Sequence, residues 1–472
     1  MPCVGTGRGG TRGDVPHADG NTSDDASRPQ LRRVLSTRLL YFFILGDVLG
    51  AGVYVLVGQV AAASGGAVWV PLLTALLLAL LTAASYAELA TKYPRAGGAS
   101  HYATLAFGPA AGFVAGFCML AAGIVSVAAL ARGFAGDYLS AFVTLPVALV
   151  AVVFLAVLAL VNARGVKEST RANVVATLIE VGGLAVIVAL GVWLLLRGDG
   201  DPGRLTELGT AEKGTAAAVL SGSVLAYYSF VGFETSVNVA EETRDPRRSY
   251  PRALFGALAT AGAVYVLVGA AASAAVPTEV LARSSGPLLE VVHAAGGVPP
   301  LLFSAVALVA VANGALLTGI MASRLAYGMA RDGLLPSVLT RLLPRRRTPW
   351  AAITATTVPA LLLALTGSVT ALAATLVLLL LFVFLLVNTA VLVLRRREGA
   401  PGHFRVPAAL PVLGAASCVL LATQVEAEVW LRTAVVLGVA GALAVVPAVR
   451  RRRAGRATGT GRDGEWRRPP PA

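Results

Sequence analysis

The sequence predicts an all-α integral membrane protein with twelve transmembrane helices. Hydrophobic residues make up 56% of the 472 residues and charged residues only 14%, too few charges to cover the surface of a water-soluble fold of this length. Apolar runs rich in Leu, Ala and Val, such as residues 372–394, are typical of membrane helices. The alternating pattern of a transmembrane β-barrel is absent from the sequence.

Twelve apolar segments are candidates to cross a bilayer, whose hydrocarbon core needs about 20 residues of helix. They lie near residues 39–63, 68–91, 109–131, 146–163, 173–196, 216–238, 252–275, 299–322, 350–366, 371–394, 408–425 and 432–449. The ninth and eleventh are the weakest candidates, because prolines interrupt or bound them. These prolines are Pro349, Pro359, Pro407 and Pro411.

Basic residues indicate how the helices are oriented. With the N-terminus in the cytoplasm, the two tails and the loops on that side hold 33 of the 39 Lys and Arg residues, and the opposite loops hold six. The positive-inside rule therefore predicts a multi-pass protein of the cell membrane with both termini in the cytoplasm. Arginine clusters at 345–347, 395–397 and 450–453 fall on that side, where they fix topology and contact anionic lipid. The net charge of +14 thus needs no nucleic-acid partner.

The chain divides into a membrane domain and two tails. Residues 1–36 and 451–472 are rich in Gly, Arg, Asp and Pro and lack hydrophobic periodicity, which predicts disordered cytoplasmic tails, the second of them basic. Residues 37–450 form the predicted transmembrane domain.

Several kinds of chemistry are excluded by what the sequence lacks. Three cysteines and four scattered histidines exclude a disulfide scaffold and leave little for a metal cluster. The chain has no G-x-x-x-x-G-K-[ST] phosphate loop, so it does not hydrolyse ATP by itself, and no ATPase subunit is implied. No clustered intramembrane His, Asp or Ser suggests a nucleophile. We therefore expect no enzyme activity, cofactor or metal.

Two predicted spans are interrupted near mid-depth. The first contains three glycines within seven residues, Gly46, Gly50 and Gly52, and the sixth contains Gly232 followed by Glu234. Glycine costs about 1 kcal/mol relative to alanine within a helix, so these clusters weaken it. Close packing of helices through small residues is the alternative for either segment alone, and Gly46 and Gly50 fit the G-x-x-x-G motif.

Considered together, the two interruptions favour an inverted repeat. Each falls in the first helix of a five-helix half, which places the repeats at about 37–196 and 216–394, with two extra helices at 408–449. An unwound segment frees N–H groups on one half-helix and C=O groups on the other. The N-terminus of a half-helix carries about half a positive charge and suits a carboxylate, whereas free carbonyls suit an ammonium. A zwitterionic amino acid presents both groups.

Six motifs resemble those of the amino acid–polyamine–organocation superfamily. They are residues 46–54, 86–90, 94–98, 229–234, 240–251 and 323–336. The likeness covers about residues 31–450, and residues 50–56 look most like the branch of cationic amino acid transporters and their bacterial relatives. The resemblance implies the leucine-transporter-like fold, with a 5+5 inverted repeat, discontinuous helices 1 and 6, and alternating access.

The resemblance also implies a substrate site made mainly of backbone. The amides of Ala51 and Gly52 would hold the substrate carboxylate. Carbonyl groups from both breaks would hold its amine, those of Val48, Tyr228 and Val231. Phe230 would lie over the substrate as an aromatic gate. The neighbouring Gly50 and Gly232 would complete the two unwound segments.

Carboxylates at membrane depth are costly and are therefore candidates for function. Glu234 lies in the second interruption, where the family carries a gating and proton-sensing acid; capping of exposed amides is the alternative. Asp47 lies beside the first interruption and either contacts a cation or satisfies unwound N–H groups. Glu88, near Lys92 and Arg95, forms either an inner-gate salt bridge or a surface pair.

Glu180 lies within the fifth predicted span. Many proton-coupled relatives carry a lysine at what resembles this position, so their lysine mechanism does not transfer to an acid. Burial disfavours the charged form of a carboxylate, which lets Glu180 load and release a proton. The alternative is that it pairs with a cation or with polar groups on spans one and eight.

These residues predict a secondary transporter. A proton-coupled amino acid symporter is the first hypothesis, and exchange of internal for external amino acid is the second. Transport of a polyamine or another organocation is the third, although such a substrate has no carboxylate for Ala51 and Gly52 to hold. Sodium is not expected to be required. A channel would need rings of polar residues from symmetric subunits, whereas this chain encloses an asymmetric pair of interruptions.

Overall fold

The computed structural model describes residues 36–94, 97–165, 170–210, 214–397 and 402–441. Apart from Ser36, the two predicted tails lie outside these residues. The described part of the chain forms seventeen helices and three 3₁₀ segments. The helices are α1 (Thr37–Val48), α2 (Gly52–Ser64), α3 (Trp69–Lys92), α4 (Gly98–Phe107), α5 (Pro109–Phe134), α6 (Asp137–Ser140), α7 (Val147–Arg164), α8 (Thr170–Arg197), α9 (Thr215–Tyr228), α10 (Pro246–Ala275), α11 (Thr278–Arg283), α12 (Pro287–Ala295), α13 (Pro300–Arg331), α14 (Trp350–Thr366), α15 (Val369–Leu394), α16 (Ala409–Ala422) and α17 (Ala427–Gly441).

The described helices give eight to ten candidate membrane spans. Eight continuous segments are long and apolar enough to cross a bilayer. Two further pairs of helices pass the same test together but are bent, α1 with α2 by 47° and α16 with α17 by 117°. Helix α14 is apolar but shorter. These helices confirm the prediction of an all-helical membrane protein. Helices suit a bilayer because each helix satisfies its own backbone hydrogen bonds.

Both interruptions predicted from glycine lie where α-helix stops. Helix α1 ends at Val48 and α2 begins at Gly52, so the first predicted span consists of two helices. Helix α9 ends at Tyr228, and after four turn residues the chain continues as a 3₁₀ segment, Phe233–Glu242. Within the second break, Gly232 has a φ of +126°, a conformation that side-chain-bearing residues rarely adopt.

The two breaks lie in the middle of the helix bundle. Helix α2 packs against α9, and α10 packs against α1, α3 and α8. Helix α5 packs against both α13 and α15. One large cluster of buried apolar side chains runs through these contacts, whereas α7 and α8 keep many large apolar side chains exposed on their outer faces. The unwound backbone therefore lies within protein, as non-helical backbone at membrane depth requires.

Candidate binding site at the two helix breaks

The two breaks contact each other directly. A Cβ atom added to Gly52 would lie 2.9 Å from the Cα atom of Ser229, and one added to Gly232 would lie 2.8 Å from the carbonyl oxygen of Asp47. The hydroxyl of Thr235 donates a short hydrogen bond to the carboxylate of Asp47. Glycine at these two positions thus permits a backbone-to-backbone approach that any larger residue would block.

A cavity of about 200 Å³ lies at this junction. Nine of the twelve predicted site residues line it: Asp47, Val48, Gly50, Ala51, Gly52, Tyr228, Val231, Gly232 and Glu234. The remaining walls come from four other elements. They include Gly97 and Gly98 at the start of α4, Met119 and Ser126 of α5, Asn313, Gly314 and Thr318 of α13, and Leu376 and Leu380 of α15. The structure therefore brings both breaks to one mainly apolar cavity.

The backbone groups of the breaks differ in whether they are already bonded. Among the hydrogen bonds of the described residues, none is donated by the amides of Ala51 or Gly52. The carbonyl of Val48 accepts a hydrogen bond from the Tyr265 hydroxyl at 2.6 Å. The carbonyl of Tyr228 accepts one from the amide of Val231 at 3.1 Å, and within the same described part none is made to the Val231 carbonyl. The first break therefore has two amides that donate no hydrogen bond among the described residues. Of the three carbonyls, that of Val231 in the second break is the one that accepts none there.

Phe230 lies behind the second break. Its side chain is fully buried and does not belong to the cavity wall. The ring packs edge-on against that of Tyr265, with centroids 5.4 Å apart. In this conformation the aromatic ring supports the break from behind, and its role as a gate stays a prediction.

The two acidic residues at the cavity are both bonded. The carboxylate of Glu234 accepts a hydrogen bond from the amide of Gly232 at 2.8 Å, so it caps an exposed amide of its own break. The Asp47 carboxylate accepts from Thr235 and so links the first break to the second. Each carboxylate stabilises an unwound segment while it faces the cavity.

Glu180 lies outside the cavity wall and is fully buried on α8. One oxygen of its carboxylate, Oε1, accepts a hydrogen bond from the side-chain amide of Asn313 at 3.1 Å. The other oxygen, Oε2, has no hydrogen-bond partner among the described residues. Its backbone carbonyl accepts from the Tyr54 hydroxyl at 2.8 Å. Glu180 thus contacts polar groups of α2, which belongs to the first predicted span, and of α13, which is the eighth. This is the arrangement that the second interpretation of Glu180 expected.

Glu88 forms a buried ion pair away from the cavity. Its carboxylate receives two hydrogen bonds from the guanidinium of Arg395, at 2.8 and 2.7 Å, and a third from the amide of Val406 at 3.0 Å. The Glu88 side chain is 1% exposed and that of Arg395 is 12% exposed. The predicted neighbour Lys92 instead donates to the backbone carbonyls of Leu394, the last residue of α15, and of Arg397 just after it, and Arg95 lies outside the described residues. The pair joins α3 to α15 and is not on the surface.

Replacing Arg395 with methionine should destabilise the protein strongly. The change leaves the Glu88 carboxylate buried without its cation, which costs about 3–5 kcal/mol. We expect a large fall in the melting temperature of the purified protein. The exposed neighbour Arg396 is a matched control, because Arg396→Met removes the same charge without breaking the pair. Equal melting temperatures for the two variants would contradict a stabilising role for the pair.

Several residues of the site were not singled out from the sequence. Asn313 contacts Glu180, Thr235 contacts Asp47, and Tyr265 contacts Val48. The sequence could have indicated Asn313, because it is an amide side chain in the middle of a long apolar helix and polar groups at membrane depth are costly. Among the described residues, no group of three or more His, Cys, Asp or Glu side chains could hold a metal ion.

Membrane-spanning helices that enclose a cavity at paired breaks define the class of membrane transporters. Residues 35–448 match the family described as amino acid permease, and the chain belongs to this family. It is 30% identical to an uncharacterized transporter of Mycobacterium tuberculosis over 90% of this chain and 93% of the relative. It is also 30% identical to the vacuolar cationic amino acid transporter 2 of Arabidopsis thaliana, over 78% of this chain and 60% of the relative. The low-affinity putrescine importer PlaP of Escherichia coli is 28% identical over 70% of the chain and 74% of its own length. The family and these relatives are transporters rather than enzymes.

Proposed function

We propose that the chain is a secondary active amino acid transporter that works by alternating access and couples transport to protons. The observation that carries the proposal is a pair of amides, those of Ala51 and Gly52, that donate no hydrogen bond among the described residues and lie beside a cavity that Val231 also lines. Two amides at the start of α2 suit a carboxylate, because the N-terminus of a helix carries partial positive charge. A free carbonyl on the opposite break suits the ammonium of the same substrate.

The proposed architecture is the leucine-transporter-like fold with twelve spans. Helix α1 with α2, and α9 with the 3₁₀ segment that follows it, would be the discontinuous helices 1 and 6 of two inverted five-helix repeats. Helix α14 would be the ninth span and α16 and α17 the last two, since their 117° bend suits a hairpin rather than one span. We place both termini in the cytoplasm and the protein in the cell membrane, on the distribution of basic residues.

Proton coupling is proposed from the buried carboxylates. Glu180 has an oxygen without a hydrogen-bond partner among the described residues and Glu234 lines the cavity, so each is placed to bind a proton as the transporter changes state. The chain lacks a phosphate loop that would let it use ATP directly. Exchange of internal for external amino acid is the alternative mode and uses the same site without net proton movement.

A polyamine is the second candidate substrate. Two carboxylates, Asp47 and Glu234, line the cavity, and one relative is named a putrescine importer. However, both carboxylates already bond within the breaks, and a polyamine leaves the amides of Ala51 and Gly52 without an anion. These contacts favour an amino acid.

A thermal-shift screen tests the substrate class. We expect at least one of the common L-amino acids to raise the melting temperature of the purified protein, and putrescine and spermidine to have no effect. Amides of the stabilising amino acid, which lack the carboxylate, are the matched control and should not stabilise. Stabilisation by putrescine alone would replace the amino acid proposal with the polyamine proposal.

A further inference from the structure

Asn313 contacts both the cavity and the buried carboxylate of Glu180. It lies on α13 and lines the cavity, while its Nδ2 atom donates to Glu180 Oε1 at 3.1 Å. The next residue, Gly314, faces the first break, because a Cβ atom added there would lie 3.5 Å from the amide nitrogen of Ala51. The Asn313 side chain thus contacts a protonatable group and also lines the cavity that Ala51 and Gly52 line.

The surroundings of Glu180 leave Asn313 as its main polar partner. Tyr54 of α2 and Tyr265 of α10 are titratable side chains near the Glu180 carboxylate. Both tyrosine hydroxyls already donate to backbone carbonyls, those of Glu180 itself and of Val48. In the part of the chain that the structure describes, Oε2 has no partner at all.

Charged groups on the other packed elements are engaged elsewhere or distant along their helices. On α1, Asp47 accepts from Thr235. On α12, Glu290 and His293 lie 3.8 Å from each other. The arginines of α10 and α13 lie near the ends of those helices that the proposed topology puts on the cytoplasmic side. They are many residues away from Tyr265 and Asn313.

We infer that Asn313 is a positioning residue whose side-chain amide reverses its direction with the protonation state of Glu180. An ionised carboxylate only accepts hydrogen bonds, so it holds the NH₂ group of Asn313, as observed. A neutral carboxylic acid has one O–H donor. If that donor were at Oε2 it would be buried without an acceptor, which is unfavourable, so it turns toward Asn313. The amide must then rotate by half a turn to present its carbonyl oxygen.

Rotation of the amide changes what the cavity contains. With its carbonyl turned to the neutral Glu180, Asn313 presents its NH₂ group to the cavity that Ala51 also lines, where it adds a donor for a carboxylate. Proton binding therefore strengthens amino acid binding, and by thermodynamic reciprocity amino acid binding favours protonation. This inference rests on the proposed function and gives the sign of coupling that symport needs.

Equilibrium binding at two pH values tests the inference. The probe is the L-amino acid that gives wild-type protein its largest thermal shift, bound in detergent without any gradient. We expect the wild-type Kd to be about tenfold lower at mildly acidic than at mildly alkaline pH, the effect of about one hydrogen bond to a charged group. Glu180→Gln should bind with the acidic-side Kd at both pH values, since glutamine imitates the neutral acid. Asn313→Leu should bind weakly at both.

The controls separate this role from a structural one. Asn162→Leu removes a different side-chain amide that donates to α13, at Ser323, and should keep the pH ratio of the wild type. Glu180→Gln keeps a hydrogen-bonding partner for Asn313, so it tests the inference even if Asn313→Leu folds poorly. A wild-type Kd that is equal at the two pH values, or a Glu180→Gln variant that retains the wild-type ratio, would overturn the inference. Failure of the wild type to bind any amino acid would overturn the proposed function, and the inference with it.

Discussion

Replacing Gly52 with valine will abolish amino acid uptake into proteoliposomes while the protein still inserts into the membrane. The added Cβ would lie 2.9 Å from the Cα atom of Ser229, which is backbone and cannot move aside as a side chain can. The two breaks must separate, and a β-branched residue also restricts the unwound segment. The measurement is uptake of the amino acid identified by thermal shift, together with binding of the same compound.

Ala51→Pro is the companion variant for the same break. Ala51 has a φ of −60°, which suits proline, so the change removes the amide donor with little demand on that residue's own φ. Loss of a hydrogen bond to a charged carboxylate should weaken binding by about tenfold or more. Gly182→Ala is the matched control, because a Cβ atom added at Gly182 meets open space. Full transport by both Gly52→Val and Ala51→Pro would refute the backbone binding mode.

Glu180→Gln will lose accumulation driven by a proton gradient but keep exchange. Wild-type proteoliposomes that contain no substrate should accumulate the amino acid when the outside is made acidic, without sodium. A glutamine at this position cannot release a proton, so net transport loses its driving force, whereas exchange needs no net proton movement. Glu234→Gln should slow exchange as well, because Glu234 caps the Gly232 amide within the second break.

Two results would change the interpretation of transport. Wild-type protein that exchanges briskly but accumulates nothing under a proton gradient would replace symport with exchange. An absolute need for sodium would require Glu180 and Asp47 to be reinterpreted as parts of a cation site. Proteoliposomes with Asn162→Leu protein serve as the control for reconstitution, since that side chain lies outside the described cavity wall.

The features that the sequence could predict are local ones. An apolar run long enough to cross a membrane, or a glycine cluster within it, is visible in one window of sequence. The break between Val48 and Gly52 and the break after Tyr228 were both expected on that basis. Most of the nine predicted residues that line the cavity belong to the two breaks, whose residues the resemblance to the family named by position in the sequence.

Contacts between distant parts of the chain could not be predicted in this way. Arg395 is 307 residues from Glu88, and Asn313 is 133 residues from Glu180, so nothing in either local pattern identifies the partner. The direction of a side chain is a further unknown, because it depends on which neighbours fill the space. Phe230 turns toward Tyr265 for this reason rather than into the cavity.

The backbone character of the site bears on chirality. Amides from one break and a carbonyl from the other would fix the carboxylate and the ammonium of a bound amino acid, which leaves two directions at its α-carbon. We expect one of them to lead to the part of the cavity wall formed by α5 and α13, which includes Met119 and Thr318. The mirror-image amino acid would exchange its side chain with its hydrogen atom and turn the side chain away from that wall. Selection of one enantiomer would thus need both parts: the main chain fixes the two charged groups, and the wall decides which of the two directions accepts a side chain.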